Sequence, residues 1–191
     1  MRRTLLLVAI MSLALLVAGG GLASARVGHF SNEQTILIPN FDAADHYPSE
    51  INVSGLSGSI TDVDVKLRKF THTFPGDVFV MLEGPGGQNV VVMGDADREF
   101  EVRGIKLVFD DEAATPTTRD RATQQGHLPA GQLRPYNPAF PAPAPAESGA
   151  TALSTFDGTD PDGTWKLWVF DEDTDDEGRF GRGWTLHITT G

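Results

Sequence analysis

The chain has 191 residues, no cysteine and a formal net charge of −11 at neutral pH. The lack of cysteine excludes thiol catalysis, disulfide bonds and zinc–thiolate sites. The acidic balance disfavours nucleic acid and anionic membranes as partners, and it suits calcium or cationic proteins.

Residues 1–25 have the three parts of a Sec-type signal peptide. Two arginines follow the first methionine, a short apolar run spans residues 5–17, and Ala23-Ser24-Ala25 has the small-x-small form of a cleavage site. The apolar run is short for a membrane span, and no second one follows. We predict cleavage after Ala25 and secretion of a mature chain with 13 basic and 26 acidic residues, a net charge of −13. A retained N-terminal anchor is the alternative.

The first predicted strand of the mature chain is short. Residues 26–34 read as a loose N-terminus, whereas residues 35–38 form an apolar run that Pro39 stops, as is typical of an edge strand. We therefore treat residues 26–48 as an N-terminal extension and residues 49–191 as one domain.

A series of closely spaced strands begins at residues 51–53. Residues 60–70 alternate between apolar and charged side chains, which predicts one core face and one solvent face. In the segment 77–82, the residues from 78 onward are continuously apolar, as expected of a central strand that is covered on both faces. A Gly-Pro-Gly-Gly turn then leads into a return strand at residues 89–93, and residues 105–109 alternate again.

The last two predicted strands each begin with a tryptophan. Trp165 and Trp184 lie on the inward-facing register of residues 165–169 and 184–188, and a very acidic loop joins the two strands. About eight short strands, glycine-rich turns and no helical periodicity predict an all-β fold, a jelly-roll-like antiparallel β-sandwich.

A proline- and alanine-rich stretch at residues 133–151 interrupts this pattern. Its five prolines have no amide hydrogen to donate, so it cannot be a central strand. We expect an extended, mobile loop inserted within the sandwich. A domain boundary is the alternative, but roughly 40 residues after it are too few to form a core alone.

Five blocks of this sequence follow one another in a distinctive order. They are residues 51–53 with 58–65, residues 71–78 with 82–87, residues 107–113, residues 163–167 and residues 183–186. In this order they resemble the P domain (P/Homo B), which follows the catalytic domain in proprotein convertases and many bacterial subtilisin-like proteases. The resemblance covers roughly residues 51–190. Departures are the proline-rich insertion, Val78 where leucine is usual, and Gly84 where serine is usual.

The resemblance implies a sandwich that supports the folding, stability and substrate handling of a protease. The 50 residues before Ile51 are too few for a subtilisin-like catalytic domain, and the His-Gly-Thr and Gly-Thr-Ser motifs of that domain do not occur. A Gly-x-Ser-x-Gly nucleophile turn is also absent. His72, His127 and His187 show no pairing signal, so we interpret them as surface or hydrogen-bonded side chains. We expect no catalytic residues and no enzyme activity, and any label of serine endopeptidase or proteolysis would be inherited from the family.

Acidic residues gather in three clusters at predicted strand ends. Loops at one rim of a sandwich can converge, and calcium binds six to eight oxygen ligands, which would relieve the repulsion among the carboxylates. Residues 173–178 begin like an EF-hand loop, but Trp184 stands where the bidentate glutamate belongs. We therefore predict a calcium site that is not an EF-hand. The alternative is a rim of solvated acidic side chains. The candidate ligands are Asp110, Asp111, Asp157, Asp160, Asp162, Asp171, Asp173 and Asp175.

Trp168 and Phe170 lie on the face of their strand opposite Trp165. They either cover a second layer or form an exposed docking patch for a partner.

Taken together, the sequence predicts a secreted, monomeric, non-catalytic module with a stabilising or protein-binding role. An accessory partner that acts in trans on a separate secreted protease is one alternative. A carbohydrate- or surface-binding sandwich, with aromatic side chains as its platform, is another.

Overall fold

The computed structural model describes residues 25–96, 100–115, 131–135, 138–141 and 143–191. These residues form eleven β-strands and two short 3-10 helices, Pro75–Asp77 and Leu153–Phe156. None of their helices is long and apolar enough to cross a membrane. In chain order the strands are β1 (Arg26–Asn32), β2 (Ile36–Ile38), β3 (Ser49–Val53), β4 (Ile60–His72), β5 (Val78–Glu83), β6 (Asn89–Met93), β7 (Val102–Phe109), β8 (Gly131–Leu133), β9 (Gly163–Asp171), β10 (Gly178–Phe180) and β11 (Trp184–Thr190).

The strands form two facing sheets, which confirms the prediction of an all-β sandwich. The larger sheet has seven strands in the order β1-β11-β4-β10-β2, with β7 and β8 on the other side of β4. The smaller sheet has four strands in the order β3-β9-β5-β6. Pairing is antiparallel apart from the short parallel contact of β7 with β8. The described residues thus contain eleven strands, three more than the sequence pattern predicted.

Strand β4 organises the larger sheet because it is thirteen residues long. Its first part pairs with β11 and its last three residues pair with β10, while its other edge pairs with β7. One long strand therefore holds together short elements that come from both ends of the chain.

The sequence analysis missed three strands, β1, β8 and β10. In β1 no residue is fully buried, yet all seven of its residues pair in register with β11. Strands β8 and β10 have only three residues each, too few to show a period. Because β1 and β2 belong to the larger sheet, residues 26–48 are part of the sandwich and not an appendage to it.

Strand β2 is an edge strand, as predicted, and its free edge is capped. The Leu37 amide donates to the Asp45 carboxylate at 2.8 Å, and the Asp45 amide donates to the Leu37 carbonyl at 3.1 Å. These bonds occupy backbone groups that would otherwise be open to pairing with another chain.

The core lies between the two sheets and is anchored by two tryptophans. Trp165 and Trp184 are fully buried, as the sequence predicted. Each indole finds a hydrogen-bond acceptor at 3.0 Å: Trp165 donates to the Pro161 carbonyl and Trp184 to the Ser49 hydroxyl. Both rings therefore bury a large apolar area without leaving an unsatisfied N–H group.

Phe156 extends this core beneath the hairpin of β5 and β6. Its ring centroid lies 4.8 Å from that of Trp165. A Cβ atom at Gly84 would lie only 2.9 Å from the Phe156 ring. This close approach gives a packing reason for glycine at position 84 in this chain.

We predict that Trp165→Ala lowers the free energy of unfolding by about 3–5 kcal/mol, because it removes a fully buried ring and leaves a cavity. Urea unfolding followed by circular dichroism measures the change. Leu37→Ala is the control, since Leu37 is half exposed and its truncation should change stability by less than about 0.5 kcal/mol. Equal midpoints for the two variants would contradict the assignment of Trp165 to the core.

Candidate functional site

A buried histidine–aspartate pair connects the two sheets at one end of the sandwich. His72 is the last residue of β4 and Asp171 is the last residue of β9. Both side chains have no exposed surface, and the His72 Nε2 atom lies 3.0 Å from the Asp171 Oδ2 atom. The pair therefore links the larger sheet to the smaller one through a polar contact inside an apolar core.

The hydrogen bonds around this pair define its protonation pattern. The Phe74 amide donates to His72 Nδ1 at 3.2 Å, so Nδ1 is an acceptor and the ring proton lies on Nε2, which donates to Asp171. The other Asp171 oxygen accepts the Asp173 amide at 3.2 Å. Both ring nitrogens are thus engaged, and His72 has no nitrogen free to activate a nucleophile.

Of the other two histidines named above, the structure describes His187. His187 lies on the outer face of the larger sheet, where its Nε2 atom is 3.1 Å from the Lys66 ammonium and its ring meets His29 edge to face. Burial, Lys66 and His29 lower the pKa of His187, so the neutral ring accepts a hydrogen bond from Lys66. His127 lies outside the described residues.

The charges of Asp171, Asp173 and Asp176 act on Asp77 beside the buried pair, and we call these four carboxylates the acidic end. Burial raises the pKa of Asp77 to about 7, and the charges of the other three add to this effect. Asp77 therefore retains a proton at a pH where an exposed aspartate is fully ionised. The acidic end includes two of the predicted calcium ligands, Asp171 and Asp173.

A second cluster, the acidic shoulder, consists of Asp62, Asp64, Asp110, Asp111, Glu112 and Asp157. Burial and then the charge of Asp110 raise the pKa of Asp62. The same two causes raise the pKa of Asp64 to about 6, and the charges of Asp62 and Glu112 add to this effect. Burial, followed by the charges of Asp62 and Asp111, raises the pKa of Asp157. A hydrogen bond to Asp110 is the main cause of the raised pKa of Glu112. Three predicted ligands, Asp110, Asp111 and Asp157, thus belong to this cluster.

Several of the predicted calcium ligands hold loops in place through backbone amides. The Asp111 carboxylate accepts the amides of Leu153 and Ser154 at 3.0 and 2.8 Å. Asp162 accepts the amides of Gly55 and Leu56 at 3.0 and 3.4 Å. These bonds give both carboxylates a structural role that needs no ion.

The eight predicted ligands are therefore divided among separate places. Asp160 and Asp162 form a local pair in the loop before β9, where Asp160 accepts the Asp162 amide at 3.0 Å. Asp175 is in the loop after β9, in a left-handed backbone conformation with φ of 75°. Within the described residues, no group of three or more histidine, aspartate or glutamate side chains is arranged to hold a metal ion. Calcium binding stays a prediction.

The structure buries Phe170, whereas Trp168 on the same face is partly exposed. Phe170 is only 8% exposed. The Trp168 indole donates to Glu83 at 2.8 Å, and Lys166 forms an ion pair with the same carboxylate at 3.0 Å. The Tyr47 ring packs edge to face on Trp168 with centroids 4.9 Å apart. Phe170 is therefore covered, while Trp168 is held by these contacts and remains partly exposed, so the docking patch stays a prediction.

The pair between the sheets was not predicted from the sequence. A lone histidine at the end of a strand carries no signal for burial, and its partner lies 99 residues away. The proximity of the two residues depends on the registers of β4 and β9.

We predict that Asp171→Asn destabilises the fold by about 1–3 kcal/mol, because the buried His72 N–H loses its charged acceptor. Asp173→Asn is the matched control, since Asp173 is exposed and its substitution relieves repulsion at the acidic end. Thermal melts at pH 7.5 measure both changes. An Asp171→Asn protein as stable as the wild type would contradict the role of the pair.

We also predict that the protein is more stable at pH 5.5 than at pH 8. The pKa values of Asp64 and Asp77 are raised to about 6 and about 7 in the folded protein, well above the ordinary value for an aspartate. The folded state therefore binds protons that the unfolded chain does not bind, and stability rises as the pH falls through these values. The lowered pKa of His187 makes the folded state less stable as the pH falls, but this is one group against several carboxylates.

Melting temperatures across this pH range check the prediction, with Asp77→Asn as the control variant. This variant should be more stable than the wild type at pH 8 and should show a weaker pH dependence. A wild-type melting temperature that falls steadily from pH 8 to pH 5.5 would show that these carboxylates are not buried as described.

Comparisons with known proteins give limited similarity. No protein-family model matches the chain, and no curated protein matches it. Among solved structures, it is similar to the serine protease of Aeromonas sobria, with a TM-score of 0.44 and 13% identity over 89% of this chain and 28% of that chain. It is also similar to a chain in the complex of Aeromonas sobria serine protease with its chaperone, with a TM-score of 0.41 and 11% identity over 87% of this chain and 26% of that one. The chain thus spans about a quarter of the matched chains. With TM-scores below 0.5, these similarities carry no argument about its function.

Proposed function

We propose that this protein is a secreted, non-catalytic β-sandwich module of the P/Homo B type that acts through contacts with other proteins. The sequence blocks that resemble this family fall on strands that build the two sheets. Residues 71–87 run from the end of β4 to the turn before β6, and the two tryptophan blocks form β9 and β11. The predicted signal peptide supports export of the module from the cell.

The observation that carries the non-catalytic assignment is the engagement of His72. A catalytic histidine needs one ring nitrogen that can take a proton from a nucleophile. His72 has one nitrogen on the Phe74 amide and the other on Asp171, and the side chain is fully buried. The pair therefore supports a structural role, in contrast to the exposed and partly free histidine of a catalytic triad.

The net charge of the mature chain is a second argument, and it concerns the kind of protein that would bind. The predicted mature chain has a net charge of −13, and the acidic end and acidic shoulder concentrate part of this charge. Such a surface favours a cationic protein and accelerates its association at low ionic strength. A secreted protease with a basic surface is the partner that fits both the charge and the resemblance.

The test uses the tagged mature protein, residues 26–191, added to culture supernatant of the source cells. We expect recovery of a secreted protease at low salt and loss of that protease as salt is raised, whereas the purified protein alone should not hydrolyse casein. Hydrolysis by the purified protein that a serine-protease reagent abolishes would contradict the non-catalytic assignment. A double variant, Asp173→Asn with Asp176→Asn, tests whether the acidic end forms the contact. It should retain the fold and bind the protease less tightly if it does.

Calcium is the cofactor that we propose for the acidic clusters. A cation that binds only the folded state raises stability by mass action, so millimolar calcium should raise the melting temperature by several degrees. Because protons compete for the same carboxylates, the effect should be larger at pH 8 than at pH 5.5. Magnesium at equal ionic strength is the control. Identical melts with calcium and with a chelator at pH 8 would rule out a calcium site that stabilises the fold.

A further inference from the structure

The outer face of the smaller sheet is apolar but not exposed. Phe79, Met81 and Val91 alternate with the residues that face the main core, so they point away from it. Each is nevertheless at most 3% exposed. A second layer must therefore cover this face, and the described part of the proline-rich stretch contributes to it.

We call this part of the cover the proline strap: residues 138–141 and 143–150. It contains four of the five prolines of the stretch and no helix or strand beyond a single bridge between Ala150 and Val90. The Phe140 ring meets the Phe79 ring edge to face with centroids 6.2 Å apart. Pro138 lies so close to Gly94 that a Cβ atom there would be 2.8 Å from it. The described part of the proline-rich stretch therefore packs against the smaller sheet.

Side-chain donors on the sandwich hold the strap by its carbonyl groups. The Tyr47 hydroxyl donates to the Pro143 carbonyl, and the Asn89 side-chain amide donates to the Ala146 carbonyl at 3.0 Å. Asn89 and Ser148 are joined further, by a bond from the Ser148 amide to Asn89 Oδ1 at 2.9 Å and one from the Ser148 hydroxyl to the Asn89 carbonyl at 2.6 Å. Burial raises the pKa of Tyr47 to about 12, so its hydroxyl keeps its proton for donation.

This combination is the chemistry by which proteins recognise extended proline-rich segments. Proline has no amide hydrogen, so such a segment cannot add to a sheet edge, and it is recognised through its carbonyls and its rings. Aromatic side chains supply flat walls for the rings, and hydroxyl, indole or amide donors bind the carbonyls. Here Phe79, Trp168 and Tyr47 supply aromatic surface, and Tyr47 and Asn89 supply the donors.

We propose that the outer face of the smaller sheet is a binding groove for extended proline-rich polypeptide segments, and that the proline strap is its intramolecular occupant. A proline-rich segment of a partner protein would take the same place after the strap is displaced. This inference deepens the proposed function and rests on it, because it names the chemistry by which the module would contact a partner.

The strap can be displaced from the groove because few interactions attach it. It is fixed by a few side-chain hydrogen bonds and ring contacts and not by a continuous ladder of backbone bonds. Being tethered, it competes at an effective concentration in the millimolar range, so an isolated peptide meets a groove that is mostly closed. The apparent affinity of an added peptide falls in proportion to the fraction of open groove.

The test measures binding of a synthetic peptide with the sequence of residues 138–150 to variants of the mature protein. Phe140→Ala weakens the strap and leaves the groove intact, so we expect this variant to bind the peptide about tenfold more tightly than the wild type. Ala139→Ser is the matched control, since Ala139 is an exposed position on the strap. A peptide with its prolines replaced by alanine should bind more weakly, because it loses its extended preference.

A second variant tests the groove side. Replacing residues 138–148 by an equally long glycine–serine segment should expose the groove, and Tyr47→Phe in that background should weaken peptide binding about five- to tenfold by the loss of one hydrogen bond. Circular dichroism establishes whether this variant is folded, and if it is not, the comparison of Phe140→Ala with Ala139→Ser decides alone. Equal peptide binding by those two proteins, or no binding by either, overturns the groove.

These outcomes are separable from the proposed function. A protease recovered from supernatant without any peptide binding would retain the interaction module and overturn the groove. Peptide binding together with casein hydrolysis by the purified protein would retain the groove and overturn the non-catalytic assignment.

Discussion

The hydrogen bond between His72 and Asp171 connects the features on which the account of this protein depends. It joins the end of β4 in one sheet to the end of β9 in the other, and it does so with both side chains fully buried. Because a buried polar group is costly unless it is satisfied, the pair requires the Phe74 and Asp173 amides that complete it. The same bonds remove the histidine from any role as a base. They also place one carboxylate inside the protein, where its charge acts on Asp77.

Electrostatics and packing place different demands on this sandwich. Packing brings strand ends together at the rims, and the chain carries many of its carboxylates there, so burial and mutual repulsion raise the pKa values of Asp64 and Asp77. Hydrogen bonds from backbone amides stabilise the charges of some of these carboxylates, as at Asp111 and Asp162. The remaining charge makes the fold sensitive to protons and gives calcium or a basic partner a physical reason to bind. The smaller sheet has a second apolar face, which the proline strap helps to cover. The prolines of the strap lack the amide hydrogens that a strand needs.

Sequence patterns predicted the parts of the fold that depend on local periodicity. The alternation in residues 60–70 and the apolar run at residues 78–82 correspond to β4 and β5, and the inward register of Trp165 and Trp184 was correct. Strand β1 was missed because its pairing with β11 is set by the partner strand and not by its own apolar residues. The burial of His72 and Phe170 could not be predicted, since it depends on contacts between residues far apart in the chain. The acidic clusters were recognised as clusters, but their division among the acidic end, the acidic shoulder and the loop before β9 follows from strand register alone.

The tautomer of His72 tests the central claim most directly. Nitrogen-15 correlation spectra of the mature protein at neutral pH distinguish a ring protonated on Nε2 from one protonated on Nδ1. The account predicts a single Nε2–H tautomer for His72, with a proton signal that is protected from exchange with water. A Nδ1–H tautomer, or a ring that exchanges freely between the two forms, would contradict it and leave a nitrogen open for chemistry.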